Sequence, residues 1–106
     1  MPVKRVVKIR TGEGVVSRFG HEVRIMLGGR RWTFMLTLSE TQTFYETVTD
    51  KRSGLSVVRL PVLVFKANDY GRARARAYAQ AKINQYVANS SVEHVIGAIS
   101  SAEAIK

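Results

Sequence analysis

Residues 55–89 read LSVVRLPVLVFKANDYGRARARAYAQAKINQYVAN, and this stretch decides the fold that the sequence predicts. Its first part, residues 55–66, is the most apolar segment of the chain and indicates a strand with cover on both faces. Asn68 or Asp69 then caps a helix that we expect over residues 70–88. The apolar stripe of this helix consists of Ala75, Ala79, Ile83, Tyr86 and Val87. The stretch therefore predicts a strand that leads into a helix packed back onto a sheet.

Three strands joined by two glycine turns are predicted before this stretch. Residues 3–10 and 15–27 alternate apolar and polar side chains, as half-buried strands do. Residues 31–38 continue the pattern after Gly28-Gly29, a pair that suits a tight hairpin. Together these segments predict an antiparallel meander.

The turns also predict the register of the meander. A two-residue glycine turn sets Ile25 opposite Trp32 across the second hairpin. A three-residue turn over residues 12–14 sets Val7 opposite Phe19 across the first hairpin. A slip of one residue would move core side chains to the other face. We therefore expect Phe19 among the side chains that face the core.

The middle of the chain adds two further strands. Residues 43–49 are rich in β-branched and aromatic residues and predict a strand. We expect an exposed turn over residues 50–54 after it. Pro61 has no donor for a sheet ladder. The strand over residues 55–66 must therefore lie at an edge, bulge or break at this proline.

The C-terminal segment is compatible with two structures. Residues 92–99 contain four β-branched residues in eight and favour a strand, since strand, helix and strand then form a right-handed crossover. Ser90 and Glu93 instead match the capping box of a second helix. We expect one domain over residues 1–106 of the α+β class. It is an antiparallel meander of about five strands, packed on one face by the long helix.

The composition points to polyanions as partners. Seventeen Lys and Arg residues against eight Asp and Glu give a net charge of +9, which favours nucleic acid and other polyanions. The N-terminus lacks the apolar run of a signal peptide. No segment is apolar for long enough to span a bilayer. We therefore expect a cytoplasmic protein that does not bind membranes.

No catalytic constellation can be assembled from these residues. The chain has no Cys, and its two histidines, His21 and His94, show no metal-ligand spacing. His21 fits a structural role near the end of the sheet. No phosphate-binding or dinucleotide motif is present. We expect no enzymatic activity, no cofactor and no metal site.

One face of the predicted meander is strongly basic. Glu22 is its single acid, and no aromatic side chain lies on it, so a bound base would find no ring to stack on. A phosphate backbone would still be neutralised at several positions. The cations predicted on this face, opposite the face with Trp32 and Phe34, are Lys4, Lys8, Arg10, Arg18, Arg24 and Arg31.

The helix carries a second basic feature, formed by Arg72, Arg74 and Arg76. At 100° per residue Arg72 and Arg76 are neighbours, whereas Arg74 points almost the opposite way. A helix that covers the Trp32 face holds these arginines across the domain from the basic sheet face. We include all three among the candidate nucleic-acid-binding residues.

The sequence thus predicts a non-enzymatic module that binds nucleic acid or another polyanion with little sequence specificity. The alternative is a structural or regulatory protein that assembles with itself or with a protein partner, in which the charge serves only solubility. Apolar members of the exposed sheet face motivate this alternative, namely Val6, Val16, Met26 and Met35. We expect a homo-oligomer and favour a dimer, because one helix covers only one face of a sheet.

Overall fold

A computed structural model describes residues 3–105 of the chain and confirms the α+β architecture. The strands form one antiparallel sheet in sequence order, as the predicted meander requires. The elements are β1 (Arg5–Thr11), β2 (Gly14–Leu27), β3 (Arg30–Leu38), β4 (Tyr45–Thr49), β5 (Ser56–Arg59), α1 (Asp69–Asn89) and α2 (Val92–Ser100). The long helix is α1, which extends one residue beyond the predicted span at each end.

The main core lies between one face of the sheet and the two helices. Ile25 and Leu36 are completely buried in it, and Phe34 is 1% exposed. Burial of each such side chain stabilises the fold by about 1.5–3 kcal/mol. On α1 the buried Ala75 and Ala79 let the helix approach the sheet closely. Neither helix of the described residues is long and apolar enough to cross a membrane.

β2 is fourteen residues long and changes its pairing partner at Gly20, where a glycine permits a strand to bend. Its first half pairs with β1 up to Gly20, and from Gly20 onward it pairs with β3. A Cβ atom at this position would lie 2.9 Å from the carbonyl oxygen of Leu36 and 3.3 Å from Cγ2 of Val7. Glycine therefore allows the β1–β2 hairpin to fold across the second face of the sheet.

The folded hairpin encloses a small second core. Its buried side chains are Val7, Ile9 and Met35, with Val16 packed against them. The N–H of Arg10 donates to the carbonyl oxygen of Gly54 at 3.0 Å, so the β4–β5 turn closes against the outer edge of β1. Inside the curled sheet, the Thr37 hydroxyl donates to the carbonyl oxygen of Thr47 at 3.0 Å. The part of the second face around Met35 and Thr37 is thus an interior.

The register of the β2–β3 hairpin is as predicted, but that of the β1–β2 hairpin is not. The first turn has two residues rather than three. Val7 therefore lies opposite Arg18, and Phe19 lies opposite Val6. A shift of one residue exchanges the two faces of β1. The apolar side chains of this strand thus face the second core, and Lys8 faces outward.

The predicted strand over residues 55–66 is shorter than expected. β5 ends at Arg59, before Pro61, whose missing N–H cannot continue the ladder. Residues 60–68 form a loop that returns to the sheet at a single bridge between Phe44 and Lys66. The proline thus breaks the strand, which is one of the three outcomes that the sequence left open.

The prediction of a strand over residues 92–99 is wrong, because this segment forms helix α2. The hydroxyl of Ser91 accepts a hydrogen bond from the N–H of His94 at 3.0 Å and caps the helix. Val95 and Ile99 are both buried, and their spacing of four residues suits one face of a helix. The cap and this spacing outweigh the β-branched composition.

Candidate functional site

The outer face of the β1–β2 hairpin carries three of the predicted site residues. Lys4 and Lys8 are exposed there, on the opposite side of β1 from the one expected. Nε of Arg10 donates to the carbonyl oxygen of Ser53 at 2.8 Å, and Nη2 donates to that of Glu103 at 3.1 Å. Arg10 therefore ties β1 to the β4–β5 turn and the C-terminal segment.

Two other predicted residues lie outside the outer face of the hairpin. Arg18 is half-buried and lines a cavity of about 370 Å³ together with Arg10 and Arg59. The guanidinium carbon of Arg74 lies 5.4 Å from the ring centroid of Phe65 and 5.5 Å from that of Tyr70. Its charge is directed at these rings. Its divergence from the other two arginines of the run is as predicted.

The remaining four predicted residues come together. Arg24 on β2, Arg31 on β3, and Arg72 and Arg76 on α1 line one groove of about 730 Å³, which we call the arginine groove. The groove lies between α1 and the part of β2 that β1 does not pair with. The expected separation of the helix arginines from the sheet arginines is therefore wrong.

Gln80 fixes α1 beside this edge of β2. The N–H of Met26 donates to Oε1 of Gln80 at 2.8 Å, and Nε2 of Gln80 donates to the carbonyl oxygen of Met26 at 2.9 Å. The side chain thus satisfies both backbone groups that a neighbouring strand would otherwise bind. These two bonds set the distance between the walls of the arginine groove.

The charges of the arginine groove are only partly compensated. Its two carboxylates each have an arginine partner: Oδ1 of Asp69 lies 3.0 Å from Nη2 of Arg72, and Oε1 of Glu22 lies 3.9 Å from Nε of Arg5. Among the four arginines of the groove, those that form no ion pair and no side-chain hydrogen bond within residues 3–105 are Arg24, Arg31 and Arg76. The groove therefore has an excess of positive charge.

A second cavity of about 370 Å³ adjoins the arginine groove and shares Asp69 and Arg72 with it. Lys4 and His21 lie in the lining of this second cavity. Arg72 therefore links Lys4, and through it the outer face of the hairpin, to the arginine groove. We call the resulting row of cations the basic strip: Lys8, Lys4, Arg72, Arg76, Arg24 and Arg31.

Arg72 is held in place by two neighbours. Nη2 of its guanidinium pairs with the carboxylate of Asp69, and Tyr45, a residue that is 2% exposed, lies beside it in the same cavity. Desolvation acts against the charged form, but hydrogen bonding to Tyr45 and Asp69 outweighs it and raises the pKa of Arg72. Burial raises the pKa of Tyr45, and the hydrogen bond from Arg72 opposes that rise. Arg72 is thus a permanently charged and oriented group.

His21 packs edge-on against Tyr45, with 6.0 Å between the ring centroids. Its Nδ1 lies 3.3 Å from the carbonyl oxygen of Val3. Burial lowers the pKa of His21, the hydrogen bond to Val3 opposes this, and the charges of Arg72 and Lys4 lower it further. His21 is therefore a buried neutral histidine beside the basic strip.

Acidification should destabilise the fold through His21. Because its folded-state pKa lies below the ordinary value of 6.5, the unfolded chain binds more protons, and the free energy of unfolding falls as the pH drops below about 6.5. We expect thermal denaturation followed by circular dichroism to give a lower Tm at pH 5 than at pH 7.5. The His21→Asn variant should lose part of this decrease, whereas His94→Asn, at an exposed position, should retain it. An unchanged pH dependence in His21→Asn would contradict the assignment.

Phe19 is the residue at this site that the sequence pattern missed. It was expected in the core, yet its side chain is 42% exposed on the outer face of the hairpin, beside Val6. The signal that could have revealed it is Gly20, since a glycine inside an unusually long strand indicates a bend. A bent β2 need not keep one face buried along its whole length.

The fold and the site define a small α+β domain, in which a curled five-strand sheet is covered by two helices and bordered by the basic strip. No protein-family model, curated protein or solved structure matches the chain. Within residues 3–105 no three His, Asp or Glu side chains are grouped closely enough to hold a metal ion.

Proposed function

We propose that this protein binds nucleic acid by contacting phosphates along the basic strip. The observation that carries the proposal is the convergence of four arginines from β2, β3 and α1 on one groove. Residues far apart in sequence supply these cations, so a simple solvated strand or helix face does not account for the cluster. The bound polyanion would lie along the edge of β2.

The chemistry of the groove favours phosphate. Guanidinium groups bind phosphate oxygens through paired hydrogen bonds, and they keep their charge at any physiological pH. Three of the four arginines have no partner among the described residues, so binding need not break an existing ion pair. Contacts of this type position a nucleic acid without reading its sequence. We therefore expect little sequence specificity.

Salt dependence of binding tests this proposal. Fluorescence anisotropy with labelled single-stranded and duplex DNA and RNA should show binding at 50 mM salt that weakens strongly at 200 mM. If five of the six cations of the basic strip contact phosphates, the slope of log K against log salt for single strands is roughly −3.5. Absence of binding to any of these probes at low salt would overturn the proposal.

A second candidate function is the binding of a protein partner or a second copy of the chain. The loop after β5 supports it, because Val62, Leu63 and Val64 are 83%, 68% and 43% exposed. Contiguous exposed apolar side chains often mark interaction sites. Leu63 also has a positive φ of 61°, which is uncommon for this residue type. If the mass measured in solution is that of a monomer even at high protein concentration, binding of a second copy of the chain is excluded.

A further inference from the structure

Phe19 is an exposed aromatic ring on the outer face of the β1–β2 hairpin. The β1–β2 register sets Val6 directly opposite Phe19 and Lys8 opposite Ser17. Phe19 is 42% exposed and Val6 is 58% exposed, so neither helix covers this part of the sheet. The ring of Phe19 is therefore not part of the main core, and part of its surface is accessible to a ligand.

Lysines flank the ring on both sides along β1. Lys8 lies two residues after Val6 in β1, and Lys4 lies two residues before it, just ahead of the strand, where its ammonium donates to Oε1 of Gln42 at 2.9 Å. In an antiparallel pair such diagonal neighbours are about 7–8 Å apart, within reach of a long side chain. Lys8 therefore places a positive charge within reach of the ring, and Lys4 adds a second charge on the side that leads to the arginine groove.

The ring is continuous with the basic strip. Lys4 lines the cavity that also contains Arg72, and Arg72 lines the arginine groove. His21 lies in the lining of the same cavity as Lys4 and Arg72. A chain of phosphates that follows the strip thus passes beside Phe19 at one end. At this end of the strip an exposed ring and cations therefore occur together.

We infer that the ligand of the basic strip is single-stranded nucleic acid, with one base stacked on Phe19. This inference rests on the proposed function and adds the class of substrate. Stacking requires a base whose face is free, which a single strand offers and an intact duplex does not. Such a contact tolerates any base, because every base has a π face. Phosphate contacts along the basic strip provide most of the affinity, and stacking on Phe19 provides the preference for single strands.

The Phe19→Ala variant separates this inference from the proposed function. With a labelled thymidine 20-mer, removal of the ring should weaken binding at least about fivefold, the lower bound for one stacked base. Affinity for a DNA duplex and for inorganic polyphosphate, which has no bases, should stay within twofold of the wild-type value. Phe19→Trp should restore single-strand binding. Val15→Ala, at a 50% exposed position on the same outer face of β2, is the matched control and should change nothing.

The other outcomes overturn the inference in distinguishable ways. Equal loss of single-strand and duplex binding in Phe19→Ala would mean that the ring acts as a wedge in duplexes. Unchanged single-strand binding in Phe19→Ala would show that no base stacks on this ring. If the wild-type protein still binds polyphosphate, the proposed function is unaffected by that result. A wild-type dimer that becomes monomeric in Phe19→Ala with unchanged nucleic-acid binding would assign the ring to an interface between copies. No binding of wild type to any probe would overturn the proposed function itself.

Discussion

Reversal of the charges of Arg24 and Arg76 is expected to weaken single-strand binding by roughly tenfold or more at low salt. These arginines lie on the two walls of the arginine groove, one on β2 and one on α1. The Arg24→Glu/Arg76→Glu variant loses two phosphate contacts and adds two charges that repel the ligand. Loss of two contacts should also reduce the salt slope by about 1.4 for single strands. Anisotropy titrations at several salt concentrations measure both quantities.

The matched control is the Lys51→Glu/Arg59→Glu variant. Lys51 and Arg59 are exposed and lie outside the basic strip, and their reversal changes the net charge by the same amount. We expect a much smaller effect, because only long-range attraction is reduced. Equal weakening by the two variants would show that net charge governs binding and that the groove has no special role. Neither pair has an ion-pair partner in residues 3–105, so both variants should unfold close to the wild-type temperature.

Gly71→Ala is expected to destabilise the fold strongly. A Cβ atom at Gly71 would lie 1.8 Å from the carbonyl oxygen of Lys66. The oxygen belongs to the backbone and a Cβ atom has no rotamer freedom, so the clash can be relieved only by moving the start of α1 away from the loop. We expect the free energy of unfolding to fall by about 2 kcal/mol or more, and Tm by roughly 10 °C. The displacement would also move Arg72, so single-strand binding should weaken.

Gly97→Ala is the matched control for this change. Gly97 also lies in a helix, but an added Cβ atom would meet nothing within 4 Å. Alanine has the higher helix propensity, by up to about 1 kcal/mol at an exposed position. Thermal or urea denaturation should therefore show a small gain for Gly97→Ala and a clear loss for Gly71→Ala. A gain for both would contradict the packing of α1 on Lys66.

Much of the fold follows from patterns that are local in sequence. The glycine pair between β2 and β3 determines a two-residue turn, and Ile25 opposite Trp32 follows from it. The stripe of α1 and its cap at Asn68 are likewise local features. In α2 the local signals conflicted. β-branched composition favoured a strand, whereas the spacing of the buried side chains and the serine cap favour the helix that forms.

The candidate site was less predictable, because it depends on where elements meet. One residue in the length of the first turn decides whether Lys8 shares a face with Arg24 or with Phe19. The change of pairing partner at Gly20 and the pairing of Gln80 with the edge of β2 bring α1 next to the sheet arginines. No local sequence pattern predicts that α1 lies next to Arg24 and Arg31. The sequence therefore identified most of the cations but not their grouping, and it missed the aromatic ring.

The most direct measurement is mapping of amide chemical shifts by NMR during titration with a thymidine 20-mer. We predict that the largest changes fall on residues 4–8, 19, 22–26, 31 and 72–76, which carry the basic strip and Phe19. The exposed loop at residues 62–64 and the turn at residues 50–54 should change little. Changes centred on residues 62–64 would contradict the central claim, and so would small changes spread evenly over the surface.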